Sequence, residues 1–226
     1  MLEIVAIAAA TVFVLSAVPG YALADTNVGA VQRVYQTVYG TPPHGQMLAK
    51  HPGDGVVFRE NIQTWNDSSA LLRFIDGSRL TVGAKSNVLI DEFVFDPKTD
   101  TGNAVINISA GALRFVTGRM PKGQTVIETP TSTLTLRGTD VSVRVHPDGT
   151  TDIRVREGIV GNHNEMTGSN TTMGPGDQQT ASQSGNYDHR WDTGDQGAYA
   201  DDDPQRHGLP QRQQRPHCAR CPLGTS

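Results

Sequence analysis

Cys218 and Cys221 form a C-x-x-C pair within His217-Cys218-Ala219-Arg220-Cys221, and they are the only cysteines in the chain. Two thiolates at that spacing make half of a tetrahedral zinc site, or a redox couple. His207 could add a third ligand, but there is no second ligand pair to close the set. A redox couple needs a βαβ frame, and the Gln, Arg, Pro and Gly around the pair do not supply one. The pair is therefore expected to be incidental, and no cofactor or metal is expected. Carboxylates are plentiful: Asp76, Asp91, Glu92, Glu128, Asp140 and Glu157. Glycoside hydrolysis needs two of them at a fixed separation across a cleft, and nothing singles out such a pair. G-x-S-x-G, H-E-x-x-H and a Gly-rich phosphate loop are all absent. His44, His51, His146, His163 and His189 fall in turns or polar stretches, where a solvated imidazole is the simpler reading. The chain is read as a non-enzyme.

Arg114 and Arg137 differ from the other charged residues. Each follows or precedes apolar residues of an alternating run and lies close to a glycine. One reading is an arginine that binds an anion or a partner. The other is structural: the stem packs on a sheet while the guanidinium bonds strand-end carbonyls or a carboxylate. For Arg137 the structural reading is preferred, with Asp76, Asp140 and Glu157 as candidate partners, because a planar five-donor group suits a bend between strands.

The elements that would position these residues are strands. Val141, Val143 and Val145 alternate with polar residues, as do Ile153 and Val155, which puts apolar side chains on one face. His146-Pro147-Asp148-Gly149 between the runs is a turn, predicting an antiparallel hairpin of 140–145 with 150–155. Upstream, Thr133-Leu134-Thr135-Leu136 alternates and runs into Arg137-Gly138-Thr139. There Gly138 is expected to bend the chain or admit a neighbouring backbone. Asp76-Gly77 between Ala70–Ile75 and Arg79–Val82 is a second hairpin signal; Asp76 is given a conformational role in that turn. Further strands are expected near 29–35, 88–90, 104–108 and 112–116, the last two joined through Ser109-Ala110-Gly111. No long stretch after residue 25 sustains a helical period, so helix should be scarce. Short strands at this spacing predict an all-β fold, either a twisted solenoid-like stack or a jelly-roll-like sandwich.

Residues 1–24 read as an export signal. Ile4–Val18 is almost wholly apolar, too short for a comfortable membrane span, and Ala22-Leu23-Ala24 is a small-x-small cleavage site. The leading Glu3, with no Lys or Arg, departs from the usual signal, and an uncleaved anchor is the alternative. Residues 183–226 carry no apolar run and contain Asp201-Asp202-Asp203; they are expected to be a disordered polar tail. The domain between is placed at 28–182. A net charge of −4 with 19% charged residues gives no basic footprint for nucleic acid, and 6% aromatics leave little for base stacking.

Thr129-Pro130, the run LRGTDVSV at 136–143 and REGIV at 156–160 together resemble the signature half of the FecR-domain family. Gly53-Asp54 with Ile62-Gln63-Thr64, FIDGSRLTV at 74–82 and NISAGALRFVTG at 107–118 are similar to further blocks of that family, in the same order. The resemblance covers about residues 28–180. It marks Asp76, Gly77, Arg114, Phe115, Gly118, Arg137, Gly138, Thr139, Glu157 and Gly158 as motif residues. It implies an extracytoplasmic, non-catalytic β domain, and in its transducer members a sigma-regulating signalling role. Only about 24 residues precede the domain here, so the cytoplasmic sigma-regulating part is expected to be lacking. The resulting expectation is a periplasmic or secreted binding and signalling module whose partner is an envelope protein or glycan. Any membrane contact would come only through an uncleaved signal. The alternative is an envelope structural or assembly protein that pairs through exposed strand edges.

Overall fold

The computed structural model describes residues 26–189 and is built entirely from strands. They are β1 (Asn27–Tyr35), β2 (Val38–Thr41), β3 (Leu48–Ala49), β4 (Gly55–Val57), β5 (Asn61–Thr64), β6 (Ser69–Phe74), β7 (Arg79–Val82), β8 (Asn87–Asp96), β9 (Thr101–Val116), β10 (Thr125–Glu128), β11 (Ser132–Val145), β12 (Thr151–Asn164), β13 (Asn170–Met173), β14 (Gln178–Ser182) and β15 (Gly185–His189). The all-β expectation holds, and no helix forms among the described residues.

All the strands belong to one hydrogen-bonded network, but the pairings divide it into two layers. In the first layer the order is β4, β1, β6, β7, then the C-terminal half of β9, the C-terminal half of β11, the N-terminal half of β12, β14 and β15. In the second it is β3, β2, β5, β8, then the N-terminal half of β9, β10, the N-terminal half of β11, the C-terminal half of β12 and β13. Three long strands, β9, β11 and β12, thus pass from one layer to the other.

Each of the three reverses its facing where it crosses. In β9 the buried positions are Ala104, Ile106 and Ile108 before the crossing, and Leu113 and Phe115 after it. In β11 they change from Leu134 and Leu136 to Val141, Val143 and Val145, and in β12 from Ile153 and Val155 to Val160. A strand alternates strictly, so keeping apolar side chains inside both layers requires one irregular residue per crossing. Gly111, Gly138 and Gly158 occupy the three corners with φ of 88°, 65° and 79°. Gly158 admits no side chain: an added Cβ would strike the Gly138 carbonyl and sit 2.9 Å from Thr139 Cα. Gly138 therefore bends its strand as expected, but the glycine that admits a neighbouring backbone is Gly158; a Cβ on Gly138 would meet only Lys122 Cε at 3.8 Å. At Gly111 the expectation is corrected. Residues 104–108 and 112–116 are one continuous strand, because the bulge preserves pairing on both sides of it.

The two inner faces share one apolar core. Phe74 of the first layer stacks on Phe93 of the second with ring centroids 4.4 Å apart and 13° between planes. The predicted hairpin forms, with Val141 opposite Val155 and Val143 opposite Ile153. In its turn Asp148 accepts from the Thr150 amide at 2.9 Å, which holds its carboxyl below the ordinary aspartate range.

The boundary drawn at residue 183 moves. Residues 183–189 complete the β14–β15 hairpin, and polar side chains rather than apolar ones fasten it. Asn164 donates to Ser182 O at 3.0 Å and to Asn186 Oδ1 at 2.9 Å; Gln179 donates to Asp188 Oδ1 at 2.6 Å and accepts from buried Asn162. The rest of the expected tail (190–226), the C-x-x-C pair, and the expected export signal at 1–24 lie outside the described residues.

Candidate functional site

Five of the ten motif residues build one corner of the fold. Asp76 is fully buried at the β6–β7 turn. Its carboxylate accepts from Ser78 N at 2.8 Å, Ser78 Oγ at 2.5 Å and, more loosely, Met120 N at 3.3 Å, while its carbonyl accepts from Arg119 N at 2.9 Å. Ser78 Oγ in turn accepts from Gly118 N at 2.8 Å. Gly77 takes the left-handed position of the turn at φ 87°. Gly118 must lack a side chain, since a Cβ there would come within 2.5 Å of Asp76 O and 2.6 Å of Gly77 C. Thr139 closes the corner: its carbonyl accepts from Thr117 N at 2.9 Å and its amide donates to Thr117 Oγ1 at 3.2 Å. Phe115 is fully buried in the core beneath. Asp76 is thus more than a turn former; it ties the β6–β7 turn to the loop after β9, 44 residues later.

Arg114 makes the ion pair that was expected of Arg137. It grips Asp140 through two parallel bonds, Nε to Oδ1 at 2.8 Å and a terminal nitrogen to Oδ2 at 2.6 Å. Asp140 is only 13% exposed and Arg114 35%. Such a fork fixes orientation as well as supplying charge. It staples β9 to β11 on the outer face of the first layer, where Ser142 stands opposite Arg114.

Arg137 corrects the preferred reading. It is exposed, and its side chain makes no hydrogen bond or ion pair among the described residues. None of its expected partners reaches it. Asp76 is enclosed by Ser78 and Met120, Asp140 is held by Arg114, and Glu157 is exposed opposite Asp140. The reason is the facing reversal. Arg137 is the last outward residue before the corner, so its side chain joins Thr133 and Thr135 on the outer face of the second layer.

That face carries a groove of about 270 Å³ lined by Thr133, Thr135, Arg137, Ile159, Gly161 and His163, with Asn170, Thr171 and Thr172 along the far wall. The register explains its shape. Gly161 sits between Thr135 on β11 and Thr172 on β13, and its missing side chain leaves the floor open. Arg137 and Ile159 face each other at one end; Thr133 and His163 do so at the other. His163 Nδ1 shares a hydrogen with Asn170 Oδ1 at 2.9 Å, and Thr133 donates to Glu165 at 2.6 Å. The polar lining with one uncommitted guanidinium can bind an acceptor-rich or anionic group; it holds no nucleophile–base pair. Among the described residues no group of three or more His, Cys, Asp or Glu is placed to hold a metal. The groove was partly visible in the sequence as the outward Thr-x-Thr-x-Arg of β11. Gly161 gave no such signal, since an outward glycine is legible only once its strand is placed.

One comparison with known proteins spans the motif corner. Residues 60–161 match the family model described as FecR protein. Two crystal structures of a candidate anti-sigma factor from Parabacteroides distasonis are similar at 15% identity, with TM-scores of 0.48 and 0.46. Each comparison covers 58% of this chain and 60% of that one, so the chain matches well under two thirds of the length of these neighbours. No curated protein matches the chain. The matched span includes the Asp76 turn, the Arg114–Asp140 fork, the three glycine corners and Arg137, and over residues 60–161 this chain is similar to the FecR family.

Proposed function

We propose that this chain is an exported, non-enzymatic FecR-type module that binds an envelope component and takes part in signalling, and that its partner docks in the Arg137 groove. The observation that carries this reading is the division of labour between the two arginines. Arg114 is consumed in holding β9 to β11, whereas Arg137 is left exposed over an open groove on the same family motif. A fork of five donors with nothing to bond within the domain suits a carboxylate, a phosphate or a row of carbonyls on another molecule. The match to the FecR family supports a signalling or regulatory role. The apolar run at 4–18 with Ala22-Leu23-Ala24 supports export to the periplasm or beyond, with the partner an envelope protein or glycan.

Affinity capture of envelope components with the wild-type chain and with Arg137→Ala tests the reading. The expected result is a discrete partner held by the wild type and lost by the variant, with both proteins melting at the same temperature. Equal capture by both would remove the groove from the account. Self-association of the purified wild type, without a partner, would favour the alternative of an assembly protein joined at its strand edges. N-terminal sequencing of exported protein checks the signal: a start at Asp25 is expected, and a start at Met1 would refute cleavage.

A further inference from the structure

Trp65, the residue after β5, is 58% exposed, which leaves the face of its indole open to solvent. It borders a pocket of about 370 Å³ whose other walls are Gln63, Thr64, Asn66, Lys85, Ser86 and Asn87. We infer that this pocket is a saccharide-binding site in which Trp65 stacks on the apolar face of a pyranose ring and the amides of Gln63, Asn66 and Asn87 bond its hydroxyls.

Four observations carry this inference. The first is composition. A sugar ring presents a C–H face and a rim of hydroxyls that both donate and accept. An indole matches the face, and primary amides, which also donate and accept, match the rim. The pocket places one indole among three such amides. Among them, Asn87 Oδ1 is enclosed without a hydrogen-bond partner, so turning that amide toward the pocket would let a ligand hydroxyl remove the cost.

The second is rigidity. Buried Thr64 donates to Gly83 O at 2.5 Å and accepts from Ser86 N at 2.9 Å, and its amide donates to Ser86 O at 3.0 Å. Lys85 N donates to Trp65 O at 3.1 Å. Ser86 Oγ accepts from Ala112 N at 2.9 Å, so the 83–86 turn is locked to the β9 corner. Walls fixed in this way lose little freedom on binding.

The third is size. The volume is near the lower end of small-ligand sites, which run from about 300 to 1,000 Å³, on the scale of one or two sugar rings.

The fourth argues against a peptide. β5 is hydrogen-bonded to β2 on one side and β8 on the other, so no strand edge is open there for main-chain pairing. The pocket is also distinct from the Arg137 groove. Both belong to the second layer, but β9 and β10 separate β8 from β11.

The test uses the whole chain carrying Trp191→Phe, which leaves Trp65 as the one remaining indole of the two in the sequence. Its fluorescence is titrated with triacetylchitotriose, cellotriose and maltotriose, and with a proline-rich decapeptide as the competing class. The expected result is a saturable change with at least one trisaccharide at a Kd of about 1 mM or tighter. In calorimetry on the parent chain, Trp65→Ala should lose that binding at least tenfold at an unchanged melting temperature, and Asn87→Ala should weaken it. The N-acetylated and unsubstituted sugars distinguish cell-wall-type glycans from storage or structural glucans. Failure of all three sugars to saturate, saturation by the peptide alone, or equal binding by Trp65→Ala would each overturn the inference.

Discussion

Replacing Arg114 with alanine removes both bonds to Asp140 and leaves that carboxylate 13% exposed without its partner. A fully buried charge stripped of its partner costs roughly 3–5 kcal/mol, whereas an exposed pair is worth about 1 kcal/mol or less. Arg114 is about one-third exposed, so water can partly replace it, and the expected loss is about 2–3 kcal/mol. In a domain of this size that lowers the melting temperature by roughly 4–12 °C. Arg114→Lys should recover only part, because an ammonium cannot supply two parallel bonds. Arg137→Ala breaks no bond among the described residues and should shift stability by less than about 0.5 kcal/mol. Urea unfolding of the wild type and the three variants, monitored by far-ultraviolet circular dichroism, measures this directly. The midpoint should fall for Arg114→Ala with an unchanged denaturant slope. A larger loss for Arg137→Ala than for Arg114→Ala would refute the assignment of the two roles.

Lys50 reaches Glu60, which is fully buried, at 2.5 Å and also donates to Gly55 O at 2.8 Å; Lys50→Ala should cost about 3–5 kcal/mol by the stranded-charge argument, read by thermal melting. Gly158→Ala places a Cβ against the Gly138 carbonyl at a left-handed φ and should destabilise by more than about 2 kcal/mol, whereas Gly53→Ala, also left-handed but with open space around it, should cost distinctly less. Truncation after Ser182 deletes the Asn186 and Asp188 acceptors of Asn164 and Gln179, at roughly 1–3 kcal/mol for each donor left unpaired, whereas truncation after His189 keeps those bonds and should melt within about 3 °C of the full chain. Asp148 should titrate below an ordinary aspartate when followed by carboxyl NMR, since the Thr150 amide favours its charged form; loss of that shift in Thr150→Pro would identify the cause. The sign follows: this interaction stabilises above the unfolded-state pKa and is lost as pH falls through the folded one.

Strand existence was legible because β11 and β12 alternate strictly and Asp76-Gly77 and His146-Pro147-Asp148-Gly149 carry turn chemistry. What alternation could not show was how long each strand runs. Gly111 looked like a break between two strands, and only the pairing of β9 with β8, β10, β7 and β11 reveals a bent continuous one. The same gap misassigned Arg137. Its facing depends on whether the parity reversal lies before or after it, and Gly138 places the reversal just after. The Lys50–Glu60 pair was invisible because two charged residues ten positions apart in turn-rich sequence carry no signal of burial. Residues 183–189 were read as tail because their contacts are amide and carboxylate bonds. A composition test for apolar burial does not register those.

The central claim is that Arg137 faces a partner. A photoactivatable cross-linking residue placed at 137, and separately at Thr135 and Thr172 on the groove walls, tests it in cells that produce the full chain. Lys98, on the exposed turn after β8, is the control position. The account predicts the same covalent adduct from 137, 135 and 172 and none from 98. Adducts from 98 equal to those from the groove, or no adduct from any groove position, would contradict it.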